Sequence, residues 1–301
     1  MTKELLVVSG KGGTGKTSLV ASFAALAKKR VVADCDVDAA DLHLVLEPTI
    51  RSREAFWAGK TARIRPEDCT ACGICQEVCR FQAVVSGEDG AGKAFLVDPL
   101  SCEGCGVCAY FCPEKAIDLV EKLSGEWFVS ETRHGPMVHA QLGIAEANSG
   151  KLVTLVRKQA QKIAEEKGFE LILIDGSPGI GCPVIASMTG CSLVLAVTEP
   201  TPSGLHDLER VAALAGQLGI PAVVVVNKAD LNPGMADRIE AFCQEQGLGV
   251  VGRIPYDPAV VRAQIAGLSL VEYGPGSAEA AVRRIWREIR SYLFEGVEHE
   301  K

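Results

Sequence analysis

Two sets of residues in this chain have types and spacings that do chemistry. The first is Gly10-Lys11-Gly12-Gly13-Thr14-Gly15-Lys16-Thr17, which fits the pattern GxxxxGK[ST]. Its glycines let backbone N–H groups turn inward around phosphates, and a helix beginning at its end adds partial positive charge. Lys16 is placed for the β- and γ-phosphates and the Thr17 hydroxyl for Mg²⁺. The second set is a repeat. Cys69, Cys72, Cys75 and Cys79 recur as Cys102, Cys105, Cys108 and Cys112, each displaced by 33 residues. The flanks follow, with Pro66 matching Pro99, Gly73 matching Gly106, and Ala83-Val84 matching Ala116-Ile117. Three cysteines at such short intervals plus a fourth suit thiolates around an iron–sulfur cubane, whereas zinc sites usually pair two CxxC arms.

These residues need a frame, and the apolar pattern supplies one. A strand is expected over 4–8 and a helix over 17–29, with Leu19, Val20, Phe23, Leu26 and Ala27 on one face. A second strand over 30–33 runs into Asp34-Cys35-Asp36. From Arg63 to about Glu121 the chain turns cysteine-rich and short in its segments, and a linker with Trp127 and Phe128 follows. Further strands are expected over 137–141, 170–175, 193–197, 222–227 and 250–253. Helices are expected over 151–167, 204–218, 235–247 and 277–294. Strands alternating with helices imply a doubly wound, mostly parallel α/β sheet. The outer parts share one pattern and the middle does not. The expected organisation is one domain formed by 1–61 and 122–301, interrupted by a small α+β insertion over 62–121.

Composition narrows the class. Of 301 residues, 48% are hydrophobic and 23% charged, an ordinary globular balance. The net charge of −7 argues against a sequence-independent hold on nucleic acid. No apolar run reaches the ~18 residues of a membrane span, and no signal peptide is recognised. A cytoplasmic location is therefore expected, where twelve cysteines serve better as metal ligands than as disulfides.

The doubled lysine refines the phosphate loop. Lys11-Gly-Gly-x-Gly-Lys-Thr resembles the deviant Walker A motif of MinD, ParA, Mrp and nitrogenase iron proteins. The resemblance implies a Mg²⁺-dependent P-loop ATPase that binds ATP and ADP, with Gly12, Gly13, Thr14, Gly15, Lys16 and Thr17 around the nucleotide. It implies that Lys11 reaches across an ATP-dependent homodimer to the partner's nucleotide, and that Asp36 positions the attacking water. Leu171-Ile172-Leu173-Ile174-Asp175 resembles a Walker B strand, so Asp175 would hold Mg²⁺ through water. Gly176-Ser177-Pro178-Gly179 looks like switch II. Asn227-Lys228-x-Asp230 resembles a base-recognition motif, and Pro255-Tyr256-Asp257 the loop that packs against the purine. The preference for ATP over GTP comes from the resemblance alone.

The cysteine repeat, with Pro113 after its last member, resembles the bacterial two-cluster ferredoxin pattern. That resemblance implies two 4Fe–4S clusters, one held by Cys69, Cys72, Cys75 and Cys112, the other by Cys102, Cys105, Cys108 and Cys79. Arg80 stands where a proline is expected after the first set. Tyr110 and Phe111 are expected to shield the clusters from water. Among the remaining cysteines, Cys35, Cys191 and Cys243 read as core, and Cys182 as a buried structural thiol. His134, His139 and His206 read as structural, and Ser149, beside Asn148, as a helix cap. The basic amphipathic helix over 277–294 is expected to pack on the core, because the acidic tail after it does not suit an anionic bilayer.

Together these features point to an ATPase whose nucleotide state governs low-potential electron transfer or metallocofactor assembly on a partner protein. The alternatives are an Mrp-like maturation factor and a MinD-like or ParA-like positioning ATPase with a redox-sensing module. Nucleic acid and membrane are not expected among the partners.

Overall fold

The computed structural model describes residues 2–89, 92–143, 146 and 149–295. The acidic tail and Asn148 lie outside them. The chain begins with β1 (Lys3–Ser9), α1 (Lys16–Leu26), β2 (Arg30–Asp34), α2 (Leu42–Leu46) and the long β3 (Thr49–Ile64). The cysteine-rich stretch folds as α3 (Ile74–Glu77), the hairpin β4 (Val84–Asp89) and β5 (Gly92–Val97), and α4 (Val107–Phe111). A second long strand, β6 (Ile117–Thr132), then leads into β7 (Gly135–Leu142). The remainder alternates: α5 (Ser149–Lys167), β8 (Leu171–Pro178), α6 (Cys182–Met188), β9 (Leu193–Thr198), α7 (Pro202–Gln217), β10 (Ala222–Asn227), α8 (Pro233–Glu245) and β11 (Gly249–Ile254). It closes with α9 (Ala259–Ile265), α10 (Leu270–Tyr273) and α11 (Ser277–Phe294).

The chain divides into two compact units. Met1–Glu54, Trp127–Gln141 and Ser149–Lys301 make the first; Ala55–Glu126 with Leu142–Asn148 makes the second. The divisions fall inside β3 and β6, whereas the change in sequence character falls at 62 and 121. Trp127 and Phe128 do not form a linker. They lie in β6, 7% and 8% exposed, because an extended strand carries the chain through this stretch and buries both rings.

The first unit is a mostly parallel α/β sheet in the order β11-β10-β9-β1-β8-β2-β7, with β6 and β3 following β7. The pairs β1–β8, β1–β9, β2–β8, β2–β7, β9–β10 and β10–β11 are all parallel. β1, β8 and β9 are buried nearly throughout around central apolar runs, as strands covered on both faces must be. In register, Val7 sits beside Asp175 and Asp34 beside Asp175, so the carboxylates meet at the carboxyl ends of adjacent strands. That edge is where open α/β sheets bind ligands. α11 lays Val282, Ile285, Trp286, Ile289 and Leu293 on the core, with Trp286 stacked on Phe23 of α1 at 5.1 Å between ring centroids. Its amphipathic face is thereby spent on packing. Among the described residues no helix is long and apolar enough to cross a membrane.

Candidate functional site

The glycine-rich loop joins β1 to α1. Gly13 and Gly15 hold φ of +79° and +94°, conformations that turn successive N–H groups to one side. α1 starts at Lys16 with Gly15 as a left-handed cap and no side chain on its first N–H groups, which leaves them free for an anion. The loop is tied from several directions. Ser9 Oγ donates to the Lys11 carbonyl at 2.7 Å, and Gly179 N donates to the Ser9 carbonyl at 2.9 Å. Asn227 Nδ2 donates to the Thr14 carbonyl at 2.7 Å, and Lys228 Nζ to the Gly13 carbonyl at 3.2 Å. Asn227 therefore has its amide nitrogen committed to the phosphate loop. Asp230 Oδ1 accepts from Tyr256 N at 2.6 Å, joining the 227–230 turn to the turn carrying Pro255.

Lys16 is 6% exposed, with Nζ 4.0 Å from Asp36 Oδ2. Two carboxylates, Asp36 and Asp175, face this lysine, and Asp34 lies beside Asp175. Burial pushes Asp175 up to about 6, opposed by Lys16 and the Thr17 hydroxyl. Burial and the nearby Asp175 raise Asp34 well above the usual carboxylate range, and burial also raises Asp36. Asp175 Oδ1, Asp34 Oδ2 and Thr14 Oγ1 are buried without a hydrogen-bond partner. Unpaired buried oxygens beside a lysine are costly unless something completes them. A hydrated divalent cation and a phosphate chain suit this donor set, and Thr17 and Asp175 are the residues that would hold the metal.

Two residues here escaped the sequence reading. Glu199, just beyond β9, stands 3.3 Å from Lys11 Nζ through Oε2 and 2.5 Å from Lys228 Nζ through Oε1. Ser203 Oγ also accepts from Lys11 Nζ, at 3.3 Å. A carboxylate following an apolar strand, as Asp175 does, is the signal that would have found Glu199.

In the second unit the eight cysteines form two groups. One cavity is lined by Cys69, Cys72, Cys75 and Cys112 together with Ile64, Phe95 and Ile117. The other is lined by Cys79, Cys102, Cys105 and Cys108 together with Val78, Phe81 and Arg80. Each cavity takes three cysteines from one repeat and the fourth from the other. Each has backbone N–H groups aimed at its sulfurs, among them Ala116 N to Cys112 Sγ and Ala62 N to Cys102 Sγ, both at 3.4 Å. Burial pushes the Cys75 and Cys108 thiols up, so binding metal would have to displace their protons. Four thiols around an apolar hollow, with N–H donors on the sulfurs, fit an iron–sulfur cubane. Among the described residues no group of His, Cys, Asp and Glu is gathered closely enough for a single metal ion.

The backbone around these cavities is demanding. Gly73 and Gly106 cap α3 and α4 in the left-handed region. Gly104, at φ +61°, has no room at all: a Cβ there would sit 2.0 Å from the Lys60 carbonyl oxygen. Tyr110 and Phe111 do not line either cavity. They are 83% and 53% exposed and pack edge-to-face on one another, because α4 turns this side outward; Phe95 and Phe81 cover the cavities instead. Cys182 is exposed at the start of α6, not buried, because a glycine-rich turn brings it to the surface. Cys35, Cys191 and Cys243 are buried.

A parallel sheet with a phosphate loop after its first strand and carboxylates on the neighbouring strand ends defines a P-loop ATPase. The chain belongs to the CobQ/CobB/MinD/ParA nucleotide binding domain family, which matches residues 5–271. An uncharacterised protein of Methanocaldococcus jannaschii is 33% identical over 233 residues, covering 76% of this chain and 79% of its own length. An iron–sulfur cluster carrier protein of Pyrococcus abyssi is 24% identical over 164 residues, covering 50% of this chain and 56% of its own length. Among solved structures, the septum site-determining protein MinD of Pyrococcus horikoshii, complexed with Mg-ADP, superposes with a TM-score of 0.60 at 18% identity, covering 100% of both chains.

Proposed function

We propose that this ATPase couples its nucleotide state to low-potential electron delivery through two 4Fe–4S clusters carried by an inserted ferredoxin-like domain, 62–121. The observation that carries the reading is the pair of cavities, each ringed by four cysteines drawn from both repeats. Such clusters supply one-electron chemistry, commonly at low potential. The chain's own residues do the rest. Lys16 and the loop N–H groups hold the phosphates, Thr17 and Asp175 hold Mg²⁺, and Asp36 orients the attacking water. Lys11 reaches the nucleotide of a second copy in an ATP-dependent homodimer. Asn227 and Pro255 frame the base. The loop after β2, which carries Asp36, leads through α2 into β3 and the cysteine-rich stretch, so a rearrangement on hydrolysis is covalently continuous with the insert. The partner is a redox protein or a metallocofactor-assembly protein.

The test is an anaerobic redox titration followed by EPR, in Mg-ATP and then in Mg-ADP. Two 4Fe–4S signals whose potentials or line shapes change with the nucleotide support the coupling. Signals indifferent to nucleotide, or unchanged electron delivery when Lys16 is replaced by Gln, overturn it. A second reading, a maturation factor that passes clusters or cofactors to client proteins, is favoured by the similarity to iron–sulfur cluster carriers. Transfer of labelled iron to an apo-client supports that reading, and retention of all the label refutes it.

A further inference from the structure

The 33-residue repeat is broken where it matters electrostatically. Arg80 and Phe81 occupy the positions that Pro113 and Glu114 hold in the second repeat. Arg80 and Phe81 line the cavity of Cys79, Cys102, Cys105 and Cys108, whereas Glu114 lines the cavity of Cys69, Cys72, Cys75 and Cys112. A second exchange runs the other way: Glu103 lines the former cavity and its counterpart Thr70 the latter. The charges on the walls are then Arg80 and Glu103, which balance, against Glu114 alone. The other determinants are either matched or act in the same direction. Each cavity has backbone N–H donors on its cysteine sulfurs, and the extra one on Cys108 favours reduction of the same centre as Arg80 does. Cys75 is buried, while its counterpart Cys108 is partly exposed.

We propose that Arg80 sets the centre at Cys79, Cys102, Cys105 and Cys108 as the more readily reduced of the two, and that Glu114 holds the other lower. The inference rests on the proposed iron–sulfur reading. Reduction adds negative charge, which a nearby guanidinium favours and a nearby carboxylate or an apolar enclosure disfavours. Arg80 is a tuning residue and not a ligand.

The experiment is an EPR-monitored redox titration of the full chain with reconstituted clusters, at low ionic strength because Arg80 is exposed. The wild-type protein is expected to show two midpoints. Arg80→Gln should lower the upper midpoint by roughly tenfold in the reduction equilibrium, about 59 mV for a one-electron couple. Glu114→Gln should raise the lower one. Iron and sulfide content, measured on every variant, separates two failures. Full clusters with coincident midpoints, or midpoints that ignore Arg80 or move together, overturn this inference alone. A protein that takes up no clusters overturns the iron–sulfur reading and the inference with it.

Discussion

Lys11 Nζ lies 3.3 Å from Glu199 Oε2, so the first lysine of the phosphate loop is held by a carboxylate beyond β9 of the same chain. The same carboxylate holds Lys228, which in turn braces the Gly13 carbonyl. Glu199 therefore competes with phosphate for two cations at the mouth of the site. Glu199→Gln is expected to tighten ATP binding by a factor of about 2–5, the range of a partly exposed ion pair, and the gain should shrink with added salt. Calorimetric titration with ATP checks this; unchanged or weaker binding would refute the competition.

Asp175 offers a sharper contrast between stability and function. Its pKa in the folded chain, about 6, lies above that of an unfolded aspartate. Between about pH 4 and 6 the folded state keeps a proton that the unfolded state has released. Stability therefore falls as pH rises through that window, and at pH 7 the buried charge costs up to about 3 kcal/mol. Asp175→Asn removes the charge while keeping the shape. The variant should have a higher denaturation midpoint than the wild type at pH 7.5 without nucleotide, and nearly the same midpoint at pH 4.5. It should lose Mg²⁺-dependent turnover. An Asn variant less stable than wild type at pH 7.5 would show that the carboxylate is better satisfied than its unpaired Oδ1 indicates.

The phosphate loop was legible because its chemistry is local: spacing, glycines and a following helix suffice. The strand ends at Asp34 and Asp175 were legible for the same reason, since apolar runs ending in a carboxylate announce themselves. β3 and β6 were not. Thr49-Ile50-Arg51-Ser52-Arg53-Glu54 is exposed along its whole length, so it lacks the alternation that marks a half-buried strand. Trp127 and Phe128 lay beside a domain boundary inferred from composition and read as linker for that reason. The grouping of the cysteines followed from the resemblance to two-cluster ferredoxins, but the walls did not. Phe95 enters from the β4–β5 hairpin, and no spacing rule connects it to Cys72. Glu199 carries the same strand-end signal, but its role was not legible, because its partners Lys11 and Lys228 are brought to it only by the parallel pairing of β1, β9 and β10.

Asn227 tests whether the loop is held from outside. Its amide donates to the Thr14 carbonyl, and a Cβ on Gly15 would sit 2.5 Å from the same nitrogen. Asn227→Ala deletes the bond without adding bulk, and should cost about 1–2 kcal/mol in stability together with a several-fold loss in ATP affinity. Gly15→Ala should be worse, because it adds a clash and strains a φ of +94°. Thermal denaturation with and without ATP separates the two variants; an Asn227→Ala protein with wild-type affinity would mean that the loop holds its shape unaided.

His139 gives the opposite acid response to Asp175. Its ring stacks on Phe128 at 4.9 Å, its Nε2 is 2.8 Å from Ser130 Oγ, and burial lowers its pKa to about 4. An unfolded histidine protonates near 6.5, so on acidification the unfolded state gains its proton first. The stability contributed by the neutral ring is present above about 6.5 and is lost as pH falls toward 4, by about 2 kcal/mol at pH 5. His139→Gln keeps a polar group near Ser130 but has no proton to gain. The variant should be less stable than wild type at pH 7.5, where it has lost the stacked ring, and the difference should narrow or reverse by pH 5. Chemical denaturation of both proteins at the two pH values decides it. A constant difference would mean that His139 titrates in the folded protein much as it does unfolded, and that Phe128 and Ser130 do not keep the ring neutral.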